Sequence, residues 1–411
     1  MIKFDRFVLS NGLKVLVHQD QSTPMAVVNV LYDVGARDEV ESKTGFAHLF
    51  EHLMFGGSIN IPEYDEPLQL AGGENNAYTT NDLTNYYCQL PAENLETAFW
   101  LESDRMLSLA FSKKSLDVQR KVVCEEFKEH YINKPYGDVW HIMRDLAYKV
   151  HPYKWMTIGK ELSHIENAQL DDVKHFFFKH YTPSNAILVV AGNVETAHVR
   201  QLAEKWFGSI PSGEKYIRSI AQEPMQNEER RITLKRNVPM DAIYKTWHMS
   251  SRFDQDYYVT DLLTDILGGG ASSRLYQTLV KEKQLFALIN CYHFGSLDRG
   301  LFTIEGQLVK GIDIKLAEEA IELELNKVRE QLVDERELEK VKNKTESVMA
   351  FEDMSVMNRA GSLAFYELLG DGNLMNEEFK KYQLVTTADL QRVAKEVLRD
   401  TNSNTIWYLA N

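Results

Sequence analysis

The sequence predicts an α+β protein of two duplicated domains, each a mainly antiparallel sheet covered by helices. The chain has 411 residues, more than a single domain usually holds. A pattern of strand, polar turn and apolar helix ending in glycines begins at Pro24-Met25 and again at Pro239-Met240. In each half, strand-like segments precede long helical ones, which favours helices packed on an antiparallel sheet.

The join between the halves is predicted at residues 211–230. This segment is polar, contains Pro211 and Pro224, and has no clear hydrophobic period. The predicted domains are therefore 1–210 and 231–411.

The first element is a predicted hairpin, because two strand-like segments flank Asn11-Gly12. The start of the chain lacks a basic region followed by an apolar stretch, so it does not resemble a secretory signal. No apolar run is long enough to span a bilayer. We therefore expect no membrane association and a cytoplasmic protein, or a periplasmic one if a leader has been removed.

The next element is a short apolar helix that carries His48, Glu51 and His52 in the order H-x-x-E-H. Residues four apart lie on one face of a helix, with the position three along beside them. Two neutral imidazoles at this spacing can bind one zinc ion, and the intervening carboxylate can act as a base toward water. Two core histidines with a paired glutamate remain the alternative, because so short a pattern also occurs by chance.

A third ligand is predicted on the helix Leu116–Ile132. Its apolar face places Glu126 near the centre, whereas Glu125 and Glu129 fall toward one edge. A carboxylate that faces a core must be paired or bound to a metal. Solvated glutamates are the alternative, since that is the usual fate of Glu. The residues that define this face are Val118, Val122, Val123 and Phe127.

In the second half, Asp261, Thr264 and Asp265 stand where the first half has its H-x-x-E-H triad. These side chains do not reproduce the metal-binding set. Only the first half is therefore predicted to be catalytic.

Two further segments carry weaker signals. Residues 72–91 alternate Tyr, Thr and Asn after a double glycine, which predicts a strand that contains Asn76 and Ala77. A later helix carries Arg359 and Tyr366 seven residues apart, so they share a face. Taken alone, both patterns also fit an ordinary hairpin and an exposed helix.

Taken together, these motifs resemble the pitrilysin, insulysin and mitochondrial processing peptidase family of zinc metallopeptidases, and the resemblance covers nearly the whole chain. It implies one zinc ion per chain, held by His48, His52 and Glu126. Glu51 is then the catalytic base. Many members have a glutamate at the position of Gln119, where it supports the ligands. This chain departs from that pattern, and Gln119 is the residue expected to support Glu126 here.

The resemblance also gives roles to the weaker signals. It implies that Asn76 and Ala77 lie on a sheet edge that accepts the substrate as an added strand. It implies that Arg359 and Tyr366 grip the substrate carbonyl and stabilise the developing oxyanion.

Size shapes the expected assembly. Full-length relatives have four such domains that close as two bowls, so this chain resembles one half of a clamshell. Because it carries both the zinc motif and the Arg359–Tyr366 pair, we expect a homodimer in which each protomer completes the site of the other. A heterodimer with a related subunit is the rival arrangement.

Composition narrows the functional classes. A net charge of −14 disfavours nucleic acid as a partner. Three widely spaced cysteines argue against a disulfide framework or a cysteine metal site. The metal-binding motif and the family resemblance together predict a zinc metalloendopeptidase, and the resemblance implies that it cleaves unfolded peptides in a closed chamber. A catalytically silent or partner-dependent subunit and a non-peptidase zinc hydrolase remain alternatives.

Overall fold

The computed structural model describes residues 1–214 and 216–411. The chain forms two compact units, each built from three segments. Unit 1 comprises Met1–His130, Trp155–Ile220 and Ala350–Glu377, and unit 2 comprises Tyr131–Lys154, Ala221–Met349 and Glu378–Asn411.

These units differ from the predicted halves by an exchange of two segments. Tyr131–Lys154 belongs to unit 2 and Ala350–Glu377 belongs to unit 1. Each exchanged segment carries a helix that packs on the sheet of the other sequence half, which a division by sequence position does not foresee. The boundary after Ile220 falls inside the predicted linker, whose residue Lys215 lies outside the described residues.

Strands and helices follow one another along the chain as listed here in order. The strands are β1 (Asp5–Val8), β2 (Lys14–Gln19), β3 (Met25–Tyr32), β4 (Glu74–Thr79), β5 (Thr84–Pro91), β6 (Ala186–Gly192), β7 (Arg230–Arg236), β8 (Ala242–His248), β9 (Phe286–Phe294), β10 (Leu301–Leu308) and β11 (Ser403–Ala410). The helices are α1 (Phe46–Met54), α2 (Asp65–Leu70), α3 (Leu95–Ser108), α4 (Lys113–Phe127), α5 (Val139–Ala147), α6 (Leu162–Glu166), α7 (Leu170–His180), α8 (Thr196–Phe207), α9 (Asp256–Gly268), α10 (Ile314–Glu330), α11 (Glu335–Glu352), α12 (Val356–Leu368), α13 (Glu378–Gln383) and α14 (Thr387–Val397).

The sheet of unit 1 has the strand order β1-β2-β6-β3-β5-β4. The pair β2–β6 is parallel and the other neighbours are antiparallel. Strands β3 and β6 are nearly continuous runs of apolar, often β-branched residues and are buried on both faces. Strand β4 lies at the edge, and its residues alternate between exposed and half-buried. This edge strand lies beside α1.

One face of this sheet is covered by the helix of an exchanged segment. Helix α12 packs on β6 and β3, where Leu363 and Ala364 join a core cluster with Val27 and Val189. Helix α5 has the equivalent place in unit 2, where Val139 and Met143 belong to a core cluster of the second sheet. The exchanged segments are therefore held by apolar burial, the dominant favourable term in folding.

The sheet of unit 2 repeats the topology of unit 1. Its order is β7-β11-β8-β10-β9, with β7–β11 parallel and the other neighbours antiparallel. Strands β2, β6, β3, β5 and β4 of unit 1 correspond, in this order, to β7, β11, β8, β10 and β9 of unit 2. The predicted α+β class and the duplication both agree with this architecture.

No helix among the described residues is both long and apolar enough to cross a bilayer.

Candidate metal centre

Helix α1 is held firmly at its start. Gly45 precedes it with φ of 86°, a left-handed conformation that favours glycine. The carboxylate of Glu39 accepts hydrogen bonds from the backbone N–H groups of Gly45 and Ala47, both at 2.8 Å. These are N–H groups at the helix start, where intrahelical acceptors are lacking. The helix therefore has a fixed origin, which sets the direction of its polar side chains.

The apolar face of α1 points into unit 1, where Leu49 and Phe50 are fully buried. His48, Glu51 and His52 remain half-buried on the other side. The rings of His48 and His52 lie 4.8 Å apart between centroids. One short helix thus presents both imidazoles together, as the i, i+4 spacing predicts.

Glu126 of α4 reaches these two histidines. Its Oε2 lies 3.7 Å from His48 Nε2 and 3.5 Å from His52 Nε2. One ligand atom from each of the three residues lies within 4.8 Å of the other two. By contrast, the Glu125 side chain is 73% exposed and pairs with Lys128 at 2.8 Å. The structure therefore brings together the three predicted ligands, and Glu126, not Glu125, is the carboxylate that lies beside the two histidines.

The donor set fits a zinc ion. A tetrahedral ion with bonds of about 2.0–2.1 Å separates its ligand atoms by about 3.3–3.4 Å, close to the spacing from Glu126 to each histidine. Burial, reinforced by the neighbouring His52, lowers the pKa of His48 to about 4. The His48 imidazole is therefore neutral near pH 7, which is the form that binds a metal. Two imidazoles with one carboxylate is a ligand set of catalytic zinc sites that leaves a position for water.

The face of α4 that carries Glu126 differs from the prediction. Val118 and Val122, expected to be buried, are 48% and 40% exposed. The buried face is instead formed by Leu116, Val123, Cys124 and Phe127. The Glu126 side chain is 34% exposed and lies at the border of that face. The sequence could not reveal this because valine is apolar on either side of a helix. After Phe127 the chain continues as a π-helical turn, Lys128–Ile132.

Glu51 is held by a residue that the sequence analysis missed. The hydroxyl of Thr79, the last residue of β4, donates a hydrogen bond of 2.6 Å to Glu51 Oε2. Burial raises the pKa of Glu51, while the bond from Thr79 and the proximity of His52 oppose the rise. A signal was available, since Thr79 lies two residues after Ala77 and so faces the same side of the strand.

The structure places Asn76 and Ala77 on the edge strand β4, opposite Tyr87 and Tyr86 of β5. The N–H of Ala77 donates to the side-chain Oδ1 of Asn76 at 2.8 Å. Their role in substrate binding stays a prediction. Gln119 lies half-buried on α4, two turns before Glu126, and its supporting role also stays a prediction.

Arg359 and Tyr366 lie on α12 and belong to unit 1. Arg359 forms an ion pair with Asp20, and its Nη1 donates to His18 Nε2 at 2.9 Å. Tyr366 lines a cavity of about 420 Å³ with Tyr78 and other residues of unit 1. Nothing in the sequence pattern pointed to Asp20 or His18 as partners of the arginine.

The carboxylate of Asp20, which pairs with Arg359, accepts further hydrogen bonds. Hydrogen bonds from the side chain and backbone of Ser22, followed by the bond from Arg359, hold the pKa of Asp20 well below its usual range. His18 Nδ1 lies 2.7 Å from the carbonyl oxygen of Lys3. Since a carbonyl can only accept, Nδ1 carries the proton and Nε2 accepts from Arg359. The guanidinium is therefore held by two oriented acceptors.

The equivalent helix of unit 2, α9, has no comparable ligand set among the described residues. Asp261 bonds to His293 and to the hydroxyl of Tyr382, and Asp265 pairs with Lys344 at 2.8 Å. The side chains that replace the triad in the second half are thus engaged with neighbouring side chains.

Comparison with known proteins places the chain in a family. The family model described as Insulinase (Peptidase family M16) matches residues 14–145, and the model described as Peptidase M16 inactive domain matches residues 167–345. The chain is 31% identical to the protein named Zinc protease PqqE of Helicobacter pylori, over 98% of this chain and 92% of that relative. This chain belongs to peptidase family M16. The predicted resemblance to the pitrilysin and insulysin group is thereby confirmed.

Solved structures agree with this fold. A crystal structure of a protease from Helicobacter pylori superimposes with a TM-score of 0.93 at 30% identity, covering 99% of this chain and 100% of that chain. The periplasmic protease PqqL from Escherichia coli shares the fold with a TM-score of 0.80 at 17% identity, covering 100% of this chain but 48% of that one. All three residues of the candidate metal centre fall within the stretch matched by the Insulinase model.

Proposed function

We propose that this M16 protein is a zinc-dependent metalloendopeptidase that hydrolyses peptide bonds of unfolded peptides inside a closed chamber, with one zinc ion per chain. The observation that carries the proposal is the convergence of His48, His52 and Glu126 beside Glu51. Names of relatives such as Zinc protease PqqE support the same class.

In this mechanism, His48, His52 and Glu126 hold the metal. Bound zinc supplies Lewis acidity that polarises the scissile carbonyl and makes water more acidic. Glu51 takes the proton of the attacking water and passes it to the leaving amine. Its burial favours this exchange, because a carboxyl group whose pKa is raised gains a proton more readily.

Substrate binds, in our proposal, along the open edge of β4. An extended peptide added there is held by main-chain hydrogen bonds, so many sequences are accepted. The N–H of Ala77, which donates to Asn76 Oδ1 in this structure, becomes a donor to the peptide carbonyl. A folded protein cannot present a free extended strand in this way.

The proposed role of Arg359 and Tyr366 is to stabilise the oxyanion of the transition state. We propose that a homodimer forms, in which this pair acts at the metal centre of the partner. The chain spans about half the length of the Escherichia coli protease whose fold it shares, which supports pairing of two such chains. A heterodimer with a related subunit is the rival arrangement.

The test is cleavage of a quenched fluorescent library of unstructured peptides. We expect wild-type protein loaded with zinc to cleave, and Glu51→Gln to lose turnover by roughly 10²–10⁴-fold or more while it retains zinc. A chelated sample should be inactive and should recover when zinc is restored. A zinc-loaded wild type that cleaves nothing would refute the proposal in favour of a silent or partner-dependent subunit.

A further inference from the structure

The contact between Thr79 and Glu51 joins two separate elements. Thr79 ends β4 and Glu51 lies in the middle of α1, and these elements pack against each other. The bond of 2.6 Å is a side-chain contact between residues 28 positions apart in the chain. It therefore depends on the tertiary fold rather than on local geometry.

We propose that Thr79 is a positioning residue that orients the carboxylate of Glu51, an inference that rests on the proposed function. A glutamate side chain has several rotatable bonds, and burial alone does not choose among its rotamers. The Thr79 hydroxyl has a single proton, which it donates to Oε2, so in the proposed mechanism Oε1 is the oxygen that takes the proton of the attacking water. The branched Thr side chain is itself stiff at χ1, so the donor is held in place.

The position of Thr79 links the base to the strand proposed to bind substrate. Ala77 and Thr79 are two residues apart on β4, so they face the same side of the sheet. The element that receives the peptide therefore also aligns the residue that removes the proton. A catalytic group supported by a rigid strand keeps its geometry better than one supported by a loop.

The test compares Thr79→Val, which keeps the shape of the side chain but removes the donor, with Thr79→Ser, which keeps the donor. We expect Thr79→Val to lower kcat by about 10–100-fold, the range typical of losing a supporting hydrogen bond at a metal site. KM and the zinc content should stay unchanged, and Thr79→Ser should restore most of kcat. A purely structural role would instead change stability and KM together.

A second arm shows whether Thr79 acts through Glu51. In the Glu51→Gln background, adding Thr79→Val should cause no further loss of residual activity, because the group that it orients is absent. A further loss of 10-fold or more would overturn the inference. It would also be overturned if Thr79→Val kept the wild-type kcat or if Thr79→Ser were as impaired as Thr79→Val.

A structural arm does not depend on activity. Crystal structures of metal-free and zinc-loaded protein should show one Glu51 orientation in wild type and in Thr79→Ser, and several orientations in Thr79→Val. One fixed orientation in Thr79→Val would overturn the inference. If wild type cleaves no peptide, the proposed function fails, whereas these structures still decide whether Thr79 orients Glu51.

Discussion

Glu126 is the ligand whose assignment most needs a test, because two other glutamates lie on the same stretch of chain. We predict that Glu126→Gln weakens zinc binding by more than the roughly 10–100-fold typical of losing an outer partner. The matched control is Glu125→Gln, whose side chain is exposed and paired with Lys128. Competition with a chromophoric chelator measures both affinities, and equal affinities in the two variants would rule out Glu126 as a ligand.

Local spacing made much of this site predictable at the residue scale. The places of His48, Glu51 and His52 follow from helix geometry within five residues, so the sequence alone predicts that they lie together. Contacts such as Thr79 with Glu51 and Asp20 with Arg359 join residues 28 and 339 positions apart. Local spacing does not pair residues so far apart in the chain, although the position of Thr79 two residues after Ala77, on the same side of β4, was a signal for the first contact.

Two glycines give opposite predictions at the scale of the element. A Cβ on Gly45 would lie 2.6 Å from the Ile158 carbonyl oxygen, in addition to the strain of its left-handed conformation. We expect Gly45→Ala to lower the free energy of unfolding by about 1–3 kcal/mol or more and to lower zinc affinity, since α1 begins there. Thermal or denaturant unfolding and zinc titration measure these effects.

The matched control for that variant is Gly361→Ala in the interior of α12, where a Cβ would meet nothing within 4 Å. Alanine there should raise the free energy of unfolding by about 0.5–1 kcal/mol, because glycine loses more backbone entropy in a helix. If both variants were equally stable, the origin of α1 would not be as constrained as its geometry indicates.

A partly buried cluster of charges in unit 2 predicts an acid-sensitive element. Burial opposes ionisation of Glu318, but bonds from Arg231 and Lys245 lower its pKa from an ordinary value of 4.5 to about 2. Its stabilising contribution is thus fully present above pH 4.5 and is lost as the pH falls toward 2. We expect Glu318→Gln to cost about 2 kcal/mol at pH 7 and to lessen the loss of stability between pH 4.5 and 2. Urea unfolding at several pH values tests this, and parallel pH dependence in both proteins would contradict it.

Elements were easier to predict than their packing. The strand around Asn76, the α1 helix and the α4 helix all occur where the sequence pattern indicated them. The predicted buried face of α4 was wrong: Val118 and Val122 are exposed on the side of the helix that carries Glu126 and do not lie in the core. An apolar residue near a binding site has the same hydrophobic signature as one in the core.

At the scale of the whole molecule, the duplication could be predicted because the pattern of strand, polar turn and apolar helix occurs in both halves of the sequence. The two sheets share the corresponding strand order. The exchange of Tyr131–Lys154 and Ala350–Glu377 could not be predicted. The helices in these segments have the ordinary periodicity of an amphipathic helix, which does not reveal that each packs on a sheet formed by distant parts of the sequence. As a result, Arg359 and Tyr366 belong to the same compact unit as the metal centre, although they come from the second half of the chain.

Because the same chain carries both sets of residues, a mixing experiment can decide how they combine. Glu51→Gln removes the base and Arg359→Ala removes the arginine, and we expect the latter to lower kcat by roughly 10²–10³-fold. If Arg359 acts on the metal centre of the partner, a heterodimer of the two variants has one complete site. An equal mixture that exchanges subunits freely, half of whose dimers are mixed, should then recover about a quarter of wild-type activity.

Co-expression of the two variants with different tags allows the mixed dimer to be isolated and assayed directly. Its activity should reach about half that of wild type, while each variant alone stays inactive. If Arg359 acts within its own chain, neither site of the mixed dimer is complete and no activity returns. Analytical ultracentrifugation that finds a fully active monomer at the assay concentration would exclude the homodimer altogether, whatever the outcome of mixing.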